Sequence, residues 1–135
     1  MKYCIVVSEF NAEVVQSLLH ACLKGFEEQG LIPEVVHVPG AVEIPLAAQL
    51  YIKTNQPDAV VALGCVVRGD TDHYGAVCSM VQEGLMTLML KTEVPIVFEV
   101  LMVDDEKKAL ERISKGYDAA FIATEMARLR QKWTE

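Results

Sequence analysis

The chain of 135 residues is poor in several features, and each shortage excludes a class of protein. It has 12 Lys and Arg against 19 Asp and Glu, and this net charge of −7 argues against a nucleic-acid-binding protein, because phosphate backbones attract clustered positive charge. No apolar run is long enough to span a bilayer, and Met1 and Lys2 lead into a predicted strand instead of a signal peptide. No repeat, linker or low-complexity tract interrupts the pattern. We therefore expect a single globular domain over residues 1–135, with no membrane or nucleic-acid partner.

Cysteine is also scarce, and its spacing does not indicate metal binding. The four cysteines, Cys4, Cys22, Cys65 and Cys78, form no CxxC pair, so the sequence predicts neither a zinc site nor a disulfide framework. We expect reduced, buried thiols, a cytoplasmic protein and no bound metal. A reactive-thiol role stays open for Cys65 and Cys78, because both flank the loop described below.

The residues that are abundant place the chain among α/β proteins. Hydrophobic residues make up 52% of it, in short β-branched runs that alternate with longer stretches of helical spacing. The order β-α-β-α-β-α-β-α-α predicts a three-layer αβα sandwich whose four-stranded parallel sheet has the flavodoxin-like order 2-1-3-4. The predicted strands are Lys2–Val7, Pro33–Val38, Ala59–Leu63 and Val94–Leu101, and the predicted helices are 12–29, Ile44–Asn55, Ala76–Lys91, a helix starting at Asp104-Asp105, and Tyr117–Arg130.

Local signals predict where some of these helices begin and end. Asn11 is a candidate N-cap and Gly30 a candidate C-cap for the first helix. The run Ser114-Lys115-Gly116 predicts a break before the last helix. The apolar residues that this last helix is expected to bury are Ala120, Ile122, Ala123, Met126 and Ala127.

One stretch, Gly64 to Tyr74, is predicted to connect the third strand to the following helix. Such a loop lies at the carboxyl edge of a parallel sheet, where ligands bind in open α/β folds. Gly69 permits a tight bend, and the run from Asp70 to Asp72 supplies capping groups at a helix start that attracts phosphate. Arg68 adds a charged hydrogen-bond donor, and His73 exchanges protons near neutral pH. A capped helix start with a solvated His explains the same residues equally well.

Two more stretches fall at the same predicted edge. Phe10 is either a hydrophobic staple onto the first helix or a stacking platform for a flat ligand. The loop from Val38 to Pro45 ends in a proline that suits a first helical turn. In that loop Glu43 either complements the helix dipole or, with the backbone from Ala41 onward, binds the edge of a ligand.

Five blocks of this sequence together resemble one enzyme family. The blocks are Phe10-Asn11, Val38–Pro45, Gly64–Tyr74, Val94–Phe98 and Glu111-Arg112. In this order and spacing they cover nearly the whole chain and resemble 6,7-dimethyl-8-ribityllumazine synthase, the penultimate enzyme of riboflavin biosynthesis. The resemblance implies a transferase that condenses 5-amino-6-ribitylamino-uracil with 3,4-dihydroxy-2-butanone 4-phosphate and uses no metal and no cofactor.

The resemblance also implies roles for individual residues. His73 would move protons, and Arg112 would close on the substrate phosphate as its counter-charge. Phe10 would stack on the pyrimidine ring, and Asp70 and Thr71 would help to bind the phosphate. The full set of substrate-binding residues implied in this way is Phe10, Asn11, Ala41, Val42, Glu43, Val66, Val67, Arg68, Gly69, Asp70, Thr71, Phe98, Glu99 and Lys115.

In this family Phe98 and Arg112 come from the neighbouring subunit, so the resemblance implies a homo-oligomer, a pentamer or a multiple of it. Three departures from the family pattern stand out. Val42 replaces a common Phe, Glu99 replaces a common Gly, and the segment after Arg112 is shortened, with Lys115 as its remnant. The alternative to an active enzyme is therefore a homologue that binds lumazine or flavin with weak or no catalysis. A signalling receiver domain is a poorer match, because the first strand is followed by only one acid.

Overall fold

The computed structural model describes residues 1–69 and 72–134. Its strands are β1 (Tyr3–Ser8), β2 (Glu34–Val38), β3 (Ala59–Val67) and β4 (Ile96–Val103). Its helices are α1 (Ala12–Glu28), α2 (Ile44–Asn55), α3 (Tyr74–Thr92), α4 (Glu106–Leu110) and α5 (Ser114–Thr134), and a short 3₁₀ helix, Ala41–Glu43, leads into α2. The predicted element order is confirmed.

The strands form a parallel four-stranded sheet in the predicted order β2-β1-β3-β4. The two central strands are buried along their whole length, because helices cover both faces of the sheet. Successive side chains point to opposite faces, so Ile5 and Val7 pack with α1 and α5 while Cys4 and Val6 pack with α2 and α3. The predicted three-layer sandwich is therefore confirmed.

Two glycines allow α1 and α5 to pack closely. A Cβ on Gly25 would lie 2.8 Å from both the Ala120 Cβ and the Tyr117 carbonyl oxygen. A Cβ on Gly116 would clash with the carbonyl oxygen of Leu18. The first turn of α5 consequently lies directly against the backbone of α1.

Two of the predicted boundaries differ from the structure by several residues, and two residues predicted to be buried are exposed. The third strand continues to Val67 instead of ending at Leu63, because β4 pairs with it over that whole length. The last helix begins at Ser114, since Gly116 is buried in its first turn and does not break it. Ile122 is 42% exposed, and Met126 is also exposed, because smaller alanines of α5 face the core.

Other local predictions stand in the structure. Gly30 has φ +74 and follows Gln29, the C-cap residue of α1, which is the position where a left-handed glycine commonly ends a helix. Asp105 caps α4 by accepting a hydrogen bond from the Lys108 N–H at 2.9 Å. Within residues 1–69 and 72–134, none of the helices combines the length and the apolarity that crossing a bilayer requires.

Candidate active site

The carboxyl ends of β1 and β3, together with the 3₁₀ helix before α2, border a cavity of about 420 Å³, referred to below as the Phe10 cavity. It lies at the sheet edge where the sequence predicted a ligand site. Six of the predicted substrate-binding residues are among those that line it. The lining residues are Phe10, Asn11, Gly40, Ala41, Val42, Cys65, Val66, Val67 and Val77.

Phe10 follows β1 and is 66% exposed beside this cavity. Its backbone N–H donates to the Pro39 carbonyl at 3.2 Å, and the Glu9 N–H donates to the Val38 carbonyl at 2.9 Å, so the turn is tied to the end of β2. Burying such a ring would contribute about 1.5–3 kcal/mol, which this position forgoes. An exposed ring at the rim of a concavity therefore favours the stacking platform over the hydrophobic staple.

Asn11 occupies the N-cap position of α1, but its side chain does not cap the helix. Its backbone is left-handed, with φ 60, and its side-chain amide donates to the Cys65 carbonyl at 2.9 Å. The predicted capping role is therefore wrong, because a longer-range partner at the end of β3 takes the amide. The result is that Phe10 is held beside the end of β3.

The 3₁₀ helix presents a backbone edge to the cavity. The Gly40 N–H donates to Glu43 Oε1 at 2.8 Å, so this carboxylate stabilises its own turn. A Cβ on Gly40 would lie 3.0 Å from the Phe10 ring, so only glycine lets the ring lie this close to the backbone. Glu43 is nevertheless exposed, so a substrate can reach it. Its role in binding substrate stays a prediction.

Arg68 contacts other residues of the protein, although the sequence analysis predicted that it binds the substrate. Its Nε donates to Asp104 Oδ1 at 3.0 Å, and its guanidinium carbon lies 4.6 Å from the centre of the Tyr74 ring. The pKa of Asp104 is held below its ordinary value of 3.8, first by the hydrogen bond from Arg68 and then by that from Lys108. These contacts connect the end of β3, the start of α3 and the turn after β4.

The rest of the predicted loop is partly described. Gly69 has φ +97, which confirms that the chain turns here in a conformation that favours glycine. His73 is exposed at the N-cap position of α3, and its carbonyl accepts the Val77 N–H at 2.9 Å. Asp70 and Thr71, the predicted phosphate ligands, lie outside the described residues.

Phe98 lies on β4 and lines a different cavity, of about 560 Å³, between that strand and α3. It is 38% exposed and belongs to the same face of the sheet as α2 and α3. β4 is an edge strand, paired on one side by β3. Phe98 is therefore available to a second molecule rather than to the Phe10 cavity of its own chain.

Glu99 faces the opposite side of β4 from Phe98, towards α5. Burial raises its pKa above the ordinary value of 4.5, with Lys115 opposing that shift and Asp118 adding to it. Lys115 is exposed in the first turn of α5, and the exposed Arg112 precedes it in the connection from α4. Within the described part of the chain, none of these residues lines the Phe10 cavity.

The described residues offer no metal site, since no group of three or more His, Cys, Asp and Glu side chains converges among them. Burial raises the pKa of the Cys4 and Cys22 thiols to about 12, so both remain protonated at neutral pH. Cys65 is buried, 3% exposed, and belongs to the cavity wall, and Cys78 is buried on α3. A reactive-thiol role for Cys65 and Cys78 stays a hypothesis.

Sequence reasoning left three lining residues out of the predicted substrate-binding set: Gly40, Val77 and Cys65, of which Cys65 was considered only as a reactive thiol. Gly40 was expected only as part of a turn, although a glycine between two prolines at a sheet edge is a signal of close approach. Val77 was noted only as one of the apolar residues whose spacing predicts the helix Ala76–Lys91. Its position one turn after His73 was the signal that it lies on the same side as the loop.

Comparison with known protein families gives a match over almost the whole chain. The family model of 6,7-dimethyl-8-ribityllumazine synthase matches residues 1–131. Among solved structures, a GDP-L-fucose synthetase from Naegleria fowleri superposes with a TM-score of 0.43 at 12% sequence identity. That match covers 96% of this chain, which spans 44% of the length of the synthetase chain.

Proposed function

Because this chain belongs to the 6,7-dimethyl-8-ribityllumazine synthase family, a transferase family of riboflavin biosynthesis, we propose that it condenses 5-amino-6-ribitylamino-uracil with 3,4-dihydroxy-2-butanone 4-phosphate. The products are 6,7-dimethyl-8-ribityllumazine, phosphate and water. The site is the Phe10 cavity, and the protein acts in the cytoplasm as a single domain without cofactor.

One observation carries this proposal: an exposed aromatic ring lies beside a backbone edge and an apolar wall in one cavity. Phe10 supplies the ring, the turn from Gly40 to Glu43 supplies the edge, and Val66 and Val67 supply the wall. A flat pyrimidine that carries a hydroxylated side chain needs all three. The apolar faces stack on it, and the N–H and carbonyl groups orient its polar edge.

The chemistry asks little of the protein beyond positioning. The amine of the pyrimidine attacks the ketone, water leaves to form an imine, phosphate is eliminated, and the second amine closes the ring with loss of water. Holding two reactants together supplies up to about 7–11 kcal/mol of the barrier in favourable cases. We assign the proton transfers to His73, which stands exposed at the start of α3, and such a group contributes about 10²–10⁴-fold.

The substrate phosphate is assigned to the start of α3, with Asp70, Thr71 and Arg112 as its partners. A helix N-terminus attracts an anion because its N–H groups and dipole point towards it. The same groups would stabilise phosphate as it leaves. His73→Ala is therefore expected to weaken turnover without abolishing it, while Arg112→Ala mainly raises the KM for the butanone phosphate.

The proposed enzyme is a homo-oligomer, and we propose a pentamer or a multiple of it. Large apolar side chains on the solvent side of α2 and α3 are exposed in the single chain, which is typical of an interface. They are Leu46, Leu50, Met80, Met86 and Leu90. Phe98 on the edge strand and Arg112 before α5 would then reach the Phe10 cavity of the neighbouring subunit.

A direct assay tests the proposal. Purified protein is mixed with both substrates, with the butanone phosphate below its KM so that Arg112→Ala is expected to be slow, and lumazine absorbance is followed against a protein-free blank and against Arg112→Ala. Formation well above both supports the enzyme. Formation at the blank rate contradicts it.

The second candidate is a homologue that binds lumazine or flavin with weak or no catalysis, and it rests on Glu99, which stands where the family commonly has Gly. The Glu99 carboxylate faces α5, on the opposite side of β4 from Phe98, so its effect on a neighbour's site would have to act through the backbone of β4. Such a protein would quench flavin fluorescence on binding and yet form no lumazine from the two substrates. Glu99→Gly would then be the first variant in which to look for restored turnover.

A further inference from the structure

Arg68 lies at the centre of a small network at the sheet edge, distinct from the Phe10 cavity. Its backbone N–H donates to the Val103 carbonyl at 2.9 Å, which ties the residue after β3 to the last residue of β4. Its Nε donates to Asp104 Oδ1 at 3.0 Å. The second oxygen of the same carboxylate accepts from Lys108 Nζ at 3.3 Å, so Asp104 is held by two cations.

The guanidinium of Arg68 also lies over an aromatic ring. Its central carbon is 4.6 Å from the centroid of Tyr74, within the range of a cation–π contact. Tyr74 is the first residue of α3, and His73 immediately precedes it. The planar group is therefore placed between the start of α3 on one side and the turn after β4 on the other.

These contacts are poor candidates for a contribution to stability, because the side chains of Arg68 and Asp104 are 65% and 59% exposed. Exposed ion pairs contribute little to folding. Their geometry is nevertheless specific, since the planar guanidinium donates from Nε to Asp104 while its face lies over the Tyr74 ring. Because this network contributes little to stability but fixes directions, we interpret it as holding a neighbouring group in place rather than as stabilising the fold.

We infer that Arg68 is a positioning residue, which acts through Asp104 and Tyr74 to place the start of α3 and with it His73. It does not serve as a ligand of the substrate phosphate. This inference rests on the proposed function for its kinetic consequence, because His73 matters as a proton carrier only in that reaction. The placement itself is a property of the protein without substrate.

The two roles predict opposite results for Asp104. If Arg68 positions the helix start, Arg68→Gln and Asp104→Asn both lower kcat, by about tenfold, since small misplacements of a reacting group are costly. The KM for the butanone phosphate stays within about twofold, and Arg68→Gln/Asp104→Asn is no worse than Arg68→Gln alone, as expected for partners in one network. If Arg68 binds phosphate, Arg68→Gln raises that KM while Asp104→Asn leaves it unchanged or lowers it, and the inference is overturned.

Amide hydrogen exchange without substrates gives a test that does not depend on the reaction. The Val77 N–H donates to the His73 carbonyl, so its exchange rate reports the first hydrogen bond of α3. We expect faster exchange at Val77 in Arg68→Gln and in Asp104→Asn. Lys108→Met is the matched control, because Lys108 shares Asp104 and has no contact with Tyr74 among those described, and its exchange should match wild type.

The outcomes separate failure of this inference from failure of the proposed function. Unchanged exchange at Val77 in both variants overturns the positioning role, whatever the kinetics show. Faster exchange in a protein that forms no lumazine supports the positioning role and contradicts the proposed reaction. Arg68→Lys adds a check, because it keeps the charge and loses the planar guanidinium. We expect its exchange rate at Val77 and its kcat to change in the same direction as those of Arg68→Gln.

Discussion

Single residues in this protein carry charges and polar groups that its fold does not need. Glu99 is the clearest of them, since its half-buried carboxylate faces α5 and burial raises its pKa above 4.5. Because the folded protein binds this proton more tightly than the unfolded chain, the folded state loses stability as pH rises from about 4.5 through the raised pKa. Above the raised pKa, Glu99 is ionised in both states, and the full free-energy cost of burying its charge lowers the stability of the folded protein.

Glu99→Gln is therefore expected to raise the melting temperature at pH 7–8, since the amide removes the buried charge and keeps the shape. The gain over wild type should shrink as pH falls towards the ordinary pKa of 4.5. Thermal melts from pH 4 to 8 measure this, with the exposed Glu111→Gln as control. A gain that is equal at every pH would show that burial of the charge is not its cause.

Ser8 presents a similar problem at the end of β1. It is 1% exposed, and among the described residues its hydroxyl has no hydrogen-bond partner. We expect Ser8→Ala to be neutral or to stabilise the fold by about 1 kcal/mol, because it removes an unpaired buried polar group. Urea unfolding measures the difference. A decrease in stability of similar size would mean that the hydroxyl has a hydrogen-bond partner in solution. Ser17→Ala in α1 is the control variant.

At the level of elements, the contact between α1 and α5 decides how closely the helices pack. Gly116→Ala should destabilise the protein by several kcal/mol or prevent folding, because its Cβ would meet the Leu18 backbone, which cannot move aside. Gly75→Ala is the matched change, in the first turn of α3 with open space around it. It should be neutral or stabilise by up to about 1 kcal/mol. Equal effects of the two changes on the unfolding midpoint would contradict this assignment.

The same contact explains why the predicted break before α5 was wrong. In sequence, Ser114-Lys115-Gly116 has the composition of a turn. In the structure Gly116 is helical, and it is small because Leu18 lies against it. Only the packing of two distant segments distinguishes a glycine that breaks a helix from one that lets two helices touch.

At the scale of the whole molecule, the predicted site residues fall into two groups. Phe10 lies at the cavity, whereas Phe98 and Arg112 lie on β4 and between α4 and α5. The proposed site shared between subunits of a ring would account for this separation, because head-to-tail interfaces bring different surfaces of the same chain together. Surface apolar residues of α5, such as Ile122 and Trp133, extend the exposed area available to neighbours.

Subunit mixing tests the shared site. Phe10→Ala and Arg112→Ala should each be weak alone, and dissociating and reassembling them together should restore up to about a quarter of wild-type activity, since about one site in four receives both intact residues. Lumazine formation and sedimentation of the mixture measure this. Activity that never exceeds that of the separate variants would place both residues in one subunit's site. Mixing Phe10→Ala with Phe10→Ala as a control should restore nothing.

The sequence by itself determined the order of elements, the parallel sheet and the edge at which the cavity lies. Those follow from local periodicity and from the rule that parallel strands need helical crossovers, and both are readable residue by residue. It also placed Phe10 at that edge, since this residue follows a central strand, whereas Val66 and Val67 were implied by the resemblance to the family.

Only the tertiary structure decided which groups pair with one another. Asn11 binds the Cys65 carbonyl instead of capping its helix, and Arg68 pairs with Asp104. Each of these depends on which of several chemically equivalent groups, distant in sequence, comes within about 3 Å, the range of a hydrogen bond. Local patterns contain no information on that choice, because it is made by the packing of helices on the sheet.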